Sequence, residues 1–128
     1  MKRIEAIIRP EKVTAVRQAL EKVGFPGLNV CEVQGHGKQK GVVQQWRGDK
    51  YRVEMLPKMR LEVVVSDRDV KKIVQAIQDT SKTGAVGDGK IFVSTVDEVI
   101  RIRTGETGEA ALKPGFNIVV IRNSCVEV

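Results

Sequence analysis

Two apolar stripes at helical spacing, each set between extended apolar runs, leave this chain few folds to choose from. Val13, Val16, Leu20 and Val23 form the first stripe, and Val70, Ile73, Val74 and Ile77 the second. Pro10 suits a first helical position, Glu11 suits the positive end of the helix dipole, and Gly24, Pro26 and Gly27 close the helix. Ser66 and Asp69 open the second helix in a capping-box-like pattern, and it ends near Ser81. Residues 2–8, 28–33, 58–65 and 91–96 read as strands, with a short further strand through Val99, Arg101 and Arg103. In residues 58–65, Leu61, Val63 and Val65 share one face, and Glu62 and Val64 the other. The order strand, helix, strand, strand, helix, strand predicts the α+β class. It is the ferredoxin-like βαββαβ sandwich, with two helices on one face of an antiparallel sheet and a long loop between strands two and three. No sequence repeat accompanies the repeated βαβ topology.

That loop, residues 35–57, is polar, punctuated by glycine and without a clean period, although part of it can pair as an extended hairpin. Structureless loops beyond about 12–15 residues are uncommon in compact domains and tend to be functional or disordered. Trp46 and Tyr51 within it favour a functional arm over a segment merely packed on the body. Strands two and three pair as a hairpin, so the loop projects from one end of the sheet.

Between the second helix and the last long strand, Gly84, Gly87 and Gly89 fall within six residues and Lys90 follows. Glycine allows successive backbone N–H groups to converge on one point, such a nest binds anions, and lysine adds a point charge suited to phosphate. The expectation is a phosphate-binding turn leading into a strand; the plainer alternative is a connector with Lys90 solvated. Gly84, Gly89 and Lys90 have the spacing of a P-loop. Ile91 stands where that motif requires Ser or Thr, and a strand follows where it requires a helix, so the P-loop is rejected.

At 128 residues the chain is expected to be one domain with a real core. It has no apolar run near the roughly 20 residues of a membrane span and no secretion-like N-terminal segment, so a cytoplasmic protein without membrane insertion is expected. Cys31 and Cys125 lack metal spacing and are expected to stay reduced. His36 is the only histidine, which excludes a multi-histidine metal site within one chain. A net charge of +6 invites anionic partners, but 4% aromatic residues is poor provision for stacking bases. A basic ferredoxin-like nucleic-acid-binding module is the alternative reading. It needs exposed aromatics on the central strands, and only Phe92 is so placed, within an apolar run that suits core. Val33-Gln34-Gly35 matches an acylphosphatase turn, yet Gln39 stands where a phosphate-gripping arginine should follow, and the turn ends strand two rather than strand one. Nothing has the pattern of a catalytic triad or a carboxylate dyad, so no enzyme is expected.

Four local features line up: Gln39-Lys40-Gly41, Trp46-Arg47-Gly48-Asp49-Lys50-Tyr51, the run from Thr83 through Val93, and Arg101-Ile102-Arg103-Thr104-Gly105-Glu106. Together they closely resemble the PII signal-transduction proteins of nitrogen regulation, from Met1 to about Leu112 without a gap. The resemblance implies a domain of residues 1–112, with its effector loop at about 36–57, and a C-terminal extension at 113–128. It implies a homotrimer whose three intersubunit clefts bind ATP or ADP, and Mg-ATP together with 2-oxoglutarate. The phosphates would sit on Gly87, Asp88, Gly89 and Lys90, with Arg101, Arg103 and Lys38 reaching the nucleotide. The base and ribose would lie near Gly27, Asn29, Glu62 and Val64. Gln39 would be the side-chain ligand of Mg²⁺, Lys58 would pair with a 2-oxoglutarate carboxylate, and Gly37, Lys40 and Gly41 would line that pocket. Tyr51 matches the position that some relatives uridylylate. The implied partner is a protein target, such as an ammonium channel that recruits the protein to the membrane, a regulatory enzyme or a nitrogenase-related protein. No nucleic acid is implied.

The departures have consequences. Lys38 stands where Arg is usual, which keeps charge but loses the bidentate fork. Asn29 replaces a common Thr, Trp46 a common Tyr, and Asp49-Lys50 a small-then-acidic pair, which bears on whether an enzyme would read Tyr51. Residues 113–128 run past the usual family end, and Asn117 through Arg122 has the look of an added strand. Fixing some twenty loop residues at about 1–2 kcal/mol each would cost tens of kcal/mol, more than one metabolite supplies. Ligands are therefore expected to reposition only the loop base, Gly37 to Gly41, and a protein partner to order the tip.

Overall fold

A computed structural model describes residues 1–25, 27–36, 42–46, 49–53, 55–112, 120–122 and 125–127, with side chains over 1–25, 27–36 and 55–112. β1 (Lys2–Ile8) leads through a 3-10 turn (Pro10–Lys12) into α1 (Val13–Lys22). β2 (Asn29–Gly35), a separate two-stranded hairpin of β3 (Val42–Trp46) and β4 (Asp49–Val53), and β5 (Leu56–Val65) follow. A second 3-10 turn (Asp67–Asp69) opens α2 (Val70–Ser81), and β6 (Lys90–Thr95), α3 (Glu109–Leu112), β7 (Val120–Arg122) and β8 (Cys125–Glu127) complete the order.

The main sheet runs β6-β1-β5-β2-β8-β7, with every pairing antiparallel. Its first four strands carry the expected ferredoxin-like order. Alternation sets the register. Ile4, Ala6 and Ile8 of β1 face the helices beside Leu61, Val63 and Val65 of β5, and Val16, Leu20, Ile73 and Ile77 close over them. Glu62 and Val64 point to the other face, where Arg3 lies 3.8 Å from Glu62.

Helix ends follow local chemistry. Gly24 has φ +91°, a conformation that costs an L side chain and not glycine. It lets the Gly24 N–H donate to the Glu21 carbonyl at 3.0 Å and the Phe25 N–H to that of Leu20 at 2.9 Å, the Schellman pattern. The chain so reversed returns Phe25 to the core. The capping box expected at Ser66 does not form. Ser66 begins the 3-10 turn with no side-chain cap, and its hydroxyl instead donates to the Glu109 carboxylate of α3.

Other expectations shift. The strand expected through Val99, Arg101 and Arg103 is a tight turn with a single bridge, Ile100 to Thr107, because the Gly105 N–H folds back onto the Arg101 carbonyl at 2.7 Å. Phe92, expected in the core, is half exposed, since Ile91 takes the core-facing place and β6 is an edge strand. Beyond the expected domain, β8 pairs with the free side of β2 and extends the sheet. Cys31, expected as a reduced thiol, is disulfide-bonded. The chain's other cysteine, Cys125, is its register partner across β2 and β8, a proximity that their distance in the sequence hides.

Candidate functional site

The glycine turn is held from outside itself. Gly89 has φ +96°, and a Cβ there would stand 1.6 Å from the Ile7 carbonyl oxygen, so the turn presses directly on β1. Arg9, just past β1, donates from Nε to Asp88 Oδ1 at 3.1 Å and from Nη2 to the Val86 carbonyl at 2.9 Å. From β5, Lys58 Nζ donates to the Gly87 carbonyl at 2.7 Å. Asp88 Oδ2 accepts the Thr83 and Gly84 N–H groups, both at 2.9 Å, and its Oδ1 accepts the Thr83 hydroxyl. The hydrogen bonds of Asp88 thus organise the first half of the turn, ahead of the Gly87-Asp88-Gly89 backbone.

The electrostatics follow. The Thr83 hydroxyl, the Thr83 and Gly84 amides and Arg9 hold the Asp88 carboxyl well below the usual carboxylate range. Burial lowers the Lys58 ammonium from its ordinary value, with Arg9 adding repulsion and Glu11 and Asp88 working against it. Lys58 is only 8% exposed, so its charge is held inside the protein, facing a cavity.

That open cavity, of about 510 Å³, lies between the turn on one side and the base of the long loop on the other. Lys58, Gly87, Asp88, Gly89 and Lys90, expected together from the sequence, all line it. Ile7, Gly35, His36, Leu56 and Phe92 also line it and were not anticipated. Nor was Arg9; a lone arginine before a proline carries no sequence signal of a contact with a turn nearly eighty residues away. Converging backbone, a basic side chain and apolar walls suit a small anionic ligand with an apolar part.

Other expected residues lie elsewhere in the single chain. Asn29 and Glu62 are register partners on β2 and β5, with Val64 two residues on. Glu62 lies four positions along β5 from Lys58, roughly 13 Å of strand. Gly27 precedes β2 at that same remote end. Arg101 is held in its own turn, donating from Nη1 to Glu106 Oε1 at 3.0 Å and from Nη2 to the Ala110 and Ala111 carbonyls at 3.3 and 3.4 Å. Arg103 is exposed beside the fully exposed Ile102. Neither arginine lines the cavity. The expectations for Gly37, Lys38, Gln39, Lys40 and Gly41 fall outside the described residues, as does the Tyr51 side chain. Among the described residues no group of three or more His, Cys, Asp or Glu could hold a metal ion.

Comparison with known proteins points one way. The family model for nitrogen regulatory protein P-II matches residues 1–106. Nitrogen regulatory protein P-II 2 of Methanothermobacter thermautotrophicus is 53% identical over 112 residues, 88% of this chain and 97% of that one. Nitrogen regulatory protein P-II of Rhizobium meliloti is 52% identical over 112 residues, 88% of this chain and 100% of that one. Among solved structures, Arabidopsis thaliana PII bound to citrate superposes with a TM-score of 0.75 at 36% identity, covering 91% of this chain and 94% of that one.

Proposed function

The chain belongs to the nitrogen regulatory protein P-II family, and on that premise we propose that it senses ATP or ADP and 2-oxoglutarate in clefts between the subunits of a homotrimer. Its relatives are regulatory proteins rather than enzymes. The regulated target is a protein, reached through the loop between β2 and β5. An ammonium channel, a regulatory enzyme or a nitrogenase-related protein each suits that role. No described helix is long and apolar enough to cross a membrane, and a cytoplasmic protein recruited to a channel fits the reading.

The single observation that carries it is the division of the site. One chain gathers Lys58, Gly87, Asp88, Gly89 and Lys90 around a cavity and keeps Asn29, Glu62, Val64, Arg101 and Arg103 away from it. A second copy, docked head to tail, brings the missing half to the cavity, and a rotation that closes after three copies gives three such clefts. The apolar surface for this contact is available: Phe92, Val93, Ile100 and Ile102 are each about half exposed or more. The phosphates rest on the backbone of Gly87, Asp88 and Gly89 and on Lys90, while the Asp88 carboxylate serves the turn. Charge-assisted hydrogen bonds of about 1.5–3 kcal/mol each from Lys90, Arg101, Arg103 and Lys38 support micromolar binding after association costs.

Lys58 pairs with a 2-oxoglutarate carboxylate, and Gly37, Lys40 and Gly41 line that pocket. The citrate bound to the Arabidopsis relative supports a fold that accepts a small polycarboxylate. Mg²⁺ keeps most of its ligands as water and phosphate, so the Gln39 side-chain oxygen would suffice to hold it, and the ion would neutralise phosphate charge. Gln39 belongs to the loop base, so ligand and loop move together. Calorimetry tests this. Because coupling is reciprocal, 2-oxoglutarate binds more tightly with Mg-ATP present, and Gln39→Ala keeps nucleotide but loses that gain. Equal 2-oxoglutarate affinity with and without Mg-ATP would refute it.

A further inference from the structure

A second cavity, of about 420 Å³, lies across the glycine turn from the first, between α2 and the β1–β6 side of the sheet. Its apolar wall is made by Ile8 from β1, Val74 and Ile77 from α2, and Ile91 from β6, with Gln78 of α2 beside them. One polar group there is buried. Ser81, the last residue of α2, also lines it, is 6% exposed, and has a buried hydroxyl with no hydrogen-bond partner. A serine or threonine in a helix ordinarily returns its hydroxyl proton to the carbonyl one turn back. Thr80 does so, donating to the Ala76 carbonyl at 2.7 Å, and Ser81, one residue on, does not. A buried hydroxyl without a partner is a cost that the fold ordinarily avoids. Exposed Lys82 and Lys90 border the same cavity. The one carboxylate on its wall, Asp88, is engaged by Arg9 and Thr83. Hydrogen-bond donors, the Gln78 amide among them, and positive charge therefore border a partly apolar space.

We propose that this cavity is a binding site for a small amphipathic carboxylate, with an apolar chain of roughly six to eight carbons, a size suited to pockets in this volume range. The chain lies along the partly buried Val74 and Ile91, with the core residues Ile8 and Ile77 beneath it. The carboxylate accepts the Ser81 hydroxyl and takes the charge of the lysines. Asp88, Gly89 and Lys90 line both cavities, so an occupant here bears on the turn's other side. That last consequence rests on the nucleotide reading; binding itself does not.

Octanoate is the probe, titrated into the full chain without nucleotide and followed through the methyl NMR signals of isoleucine and valine. Saturable shifts are expected at Ile8, Val74, Ile77 and Ile91, and not at Val86 of the first cavity. Ser81→Ala weakens binding about three- to tenfold, the loss of one hydrogen bond. Octanol, lacking charge, binds more weakly than octanoate, and Val74→Phe, which fills the space, abolishes the shifts. Absence of saturable shifts in the wild type overturns the proposal without calling on any variant to fold. Equal affinities for wild type and Ser81→Ala, or shifts centred on Val86, overturn it as well. With nucleotide absent throughout, a negative result bears on this cavity alone.

Discussion

The turn at residues 83–90 carries Lys90 and the turn at residues 100–108 carries Arg101 and Arg103, cations that the proposed function assigns to one phosphate ligand, and the two turns are held in different ways. The first is tied to the body: Arg9 reaches it from the end of β1, Lys58 from β5, and Gly89 presses on the Ile7 backbone. The second is tied to itself and to α3 just after it. Arg101 pairs with Glu106 in the same turn, the Gly105 N–H returns to the Arg101 carbonyl, and Ile102 stands wholly in solvent. On the proposed function, the site would be divided between a half tied to its own chain's body and a half that a second copy would complete.

Substitutions should separate the two turns sharply. Gly89→Ala should have the largest effect, because its methyl meets backbone oxygen at 1.6 Å and its φ is +96°. A loss of about 3 kcal/mol or more in denaturant unfolding is expected. Gly105→Ala, with φ +74° and nothing within 4 Å, should cost only about 1–2 kcal/mol by the same measurement. Equal losses would break the contrast between them. Arg101→Ala should cost less than about 1 kcal/mol, the range of partly exposed pairs. It should also weaken ATP binding roughly tenfold or more at unchanged oligomer mass. Unchanged affinity in calorimetry would remove Arg101 from the site.

The smallest effects are in pH dependence, and they belong to the first turn. The Asp88 pKa is depressed in the folded state, so its contribution to stability is present above the ordinary carboxylate range and is lost as pH falls through that range toward the folded value. Asp88→Asn should flatten the acid limb of a stability profile. The Lys58 pKa is lowered, so the unfolded chain holds more protons than the folded one as pH approaches the ordinary lysine value, and stability rises there. Lys58→Met should remove that rise; a profile unchanged in slope would mean that Lys58 keeps its proton in the fold.

Strand alternation and helical stripes were enough to read the ferredoxin-like order, because burial on one face imposes its period on the sequence. Ile4, Ala6, Ile8, Val16 and Ile73 are core for that reason. The glycine turn was legible from its spacing, and Lys58 from family likeness. What stayed hidden was tertiary. Nothing near Arg9 announces a contact with Asp88, and Phe92 reads as core because an edge strand is recognised only once the sheet order is known. The alternating run at 99–103 makes only the Ile100–Thr107 bridge among the described residues, and a local turn takes its place.

Mixing two crippled chains tests the divided site most directly. Lys90→Ala spares the second turn and Arg101→Ala spares the first, so neither variant alone should retain a complete cleft. Dissociated and reassembled together in equal amounts, they should form about one quarter of their clefts from an intact turn and an intact arginine, if each cleft draws on two copies. Equilibrium dialysis with labelled ATP should then recover about a quarter of the wild-type sites at wild-type affinity. Mixed assemblies that recover no sites beyond the two parents would contradict the account.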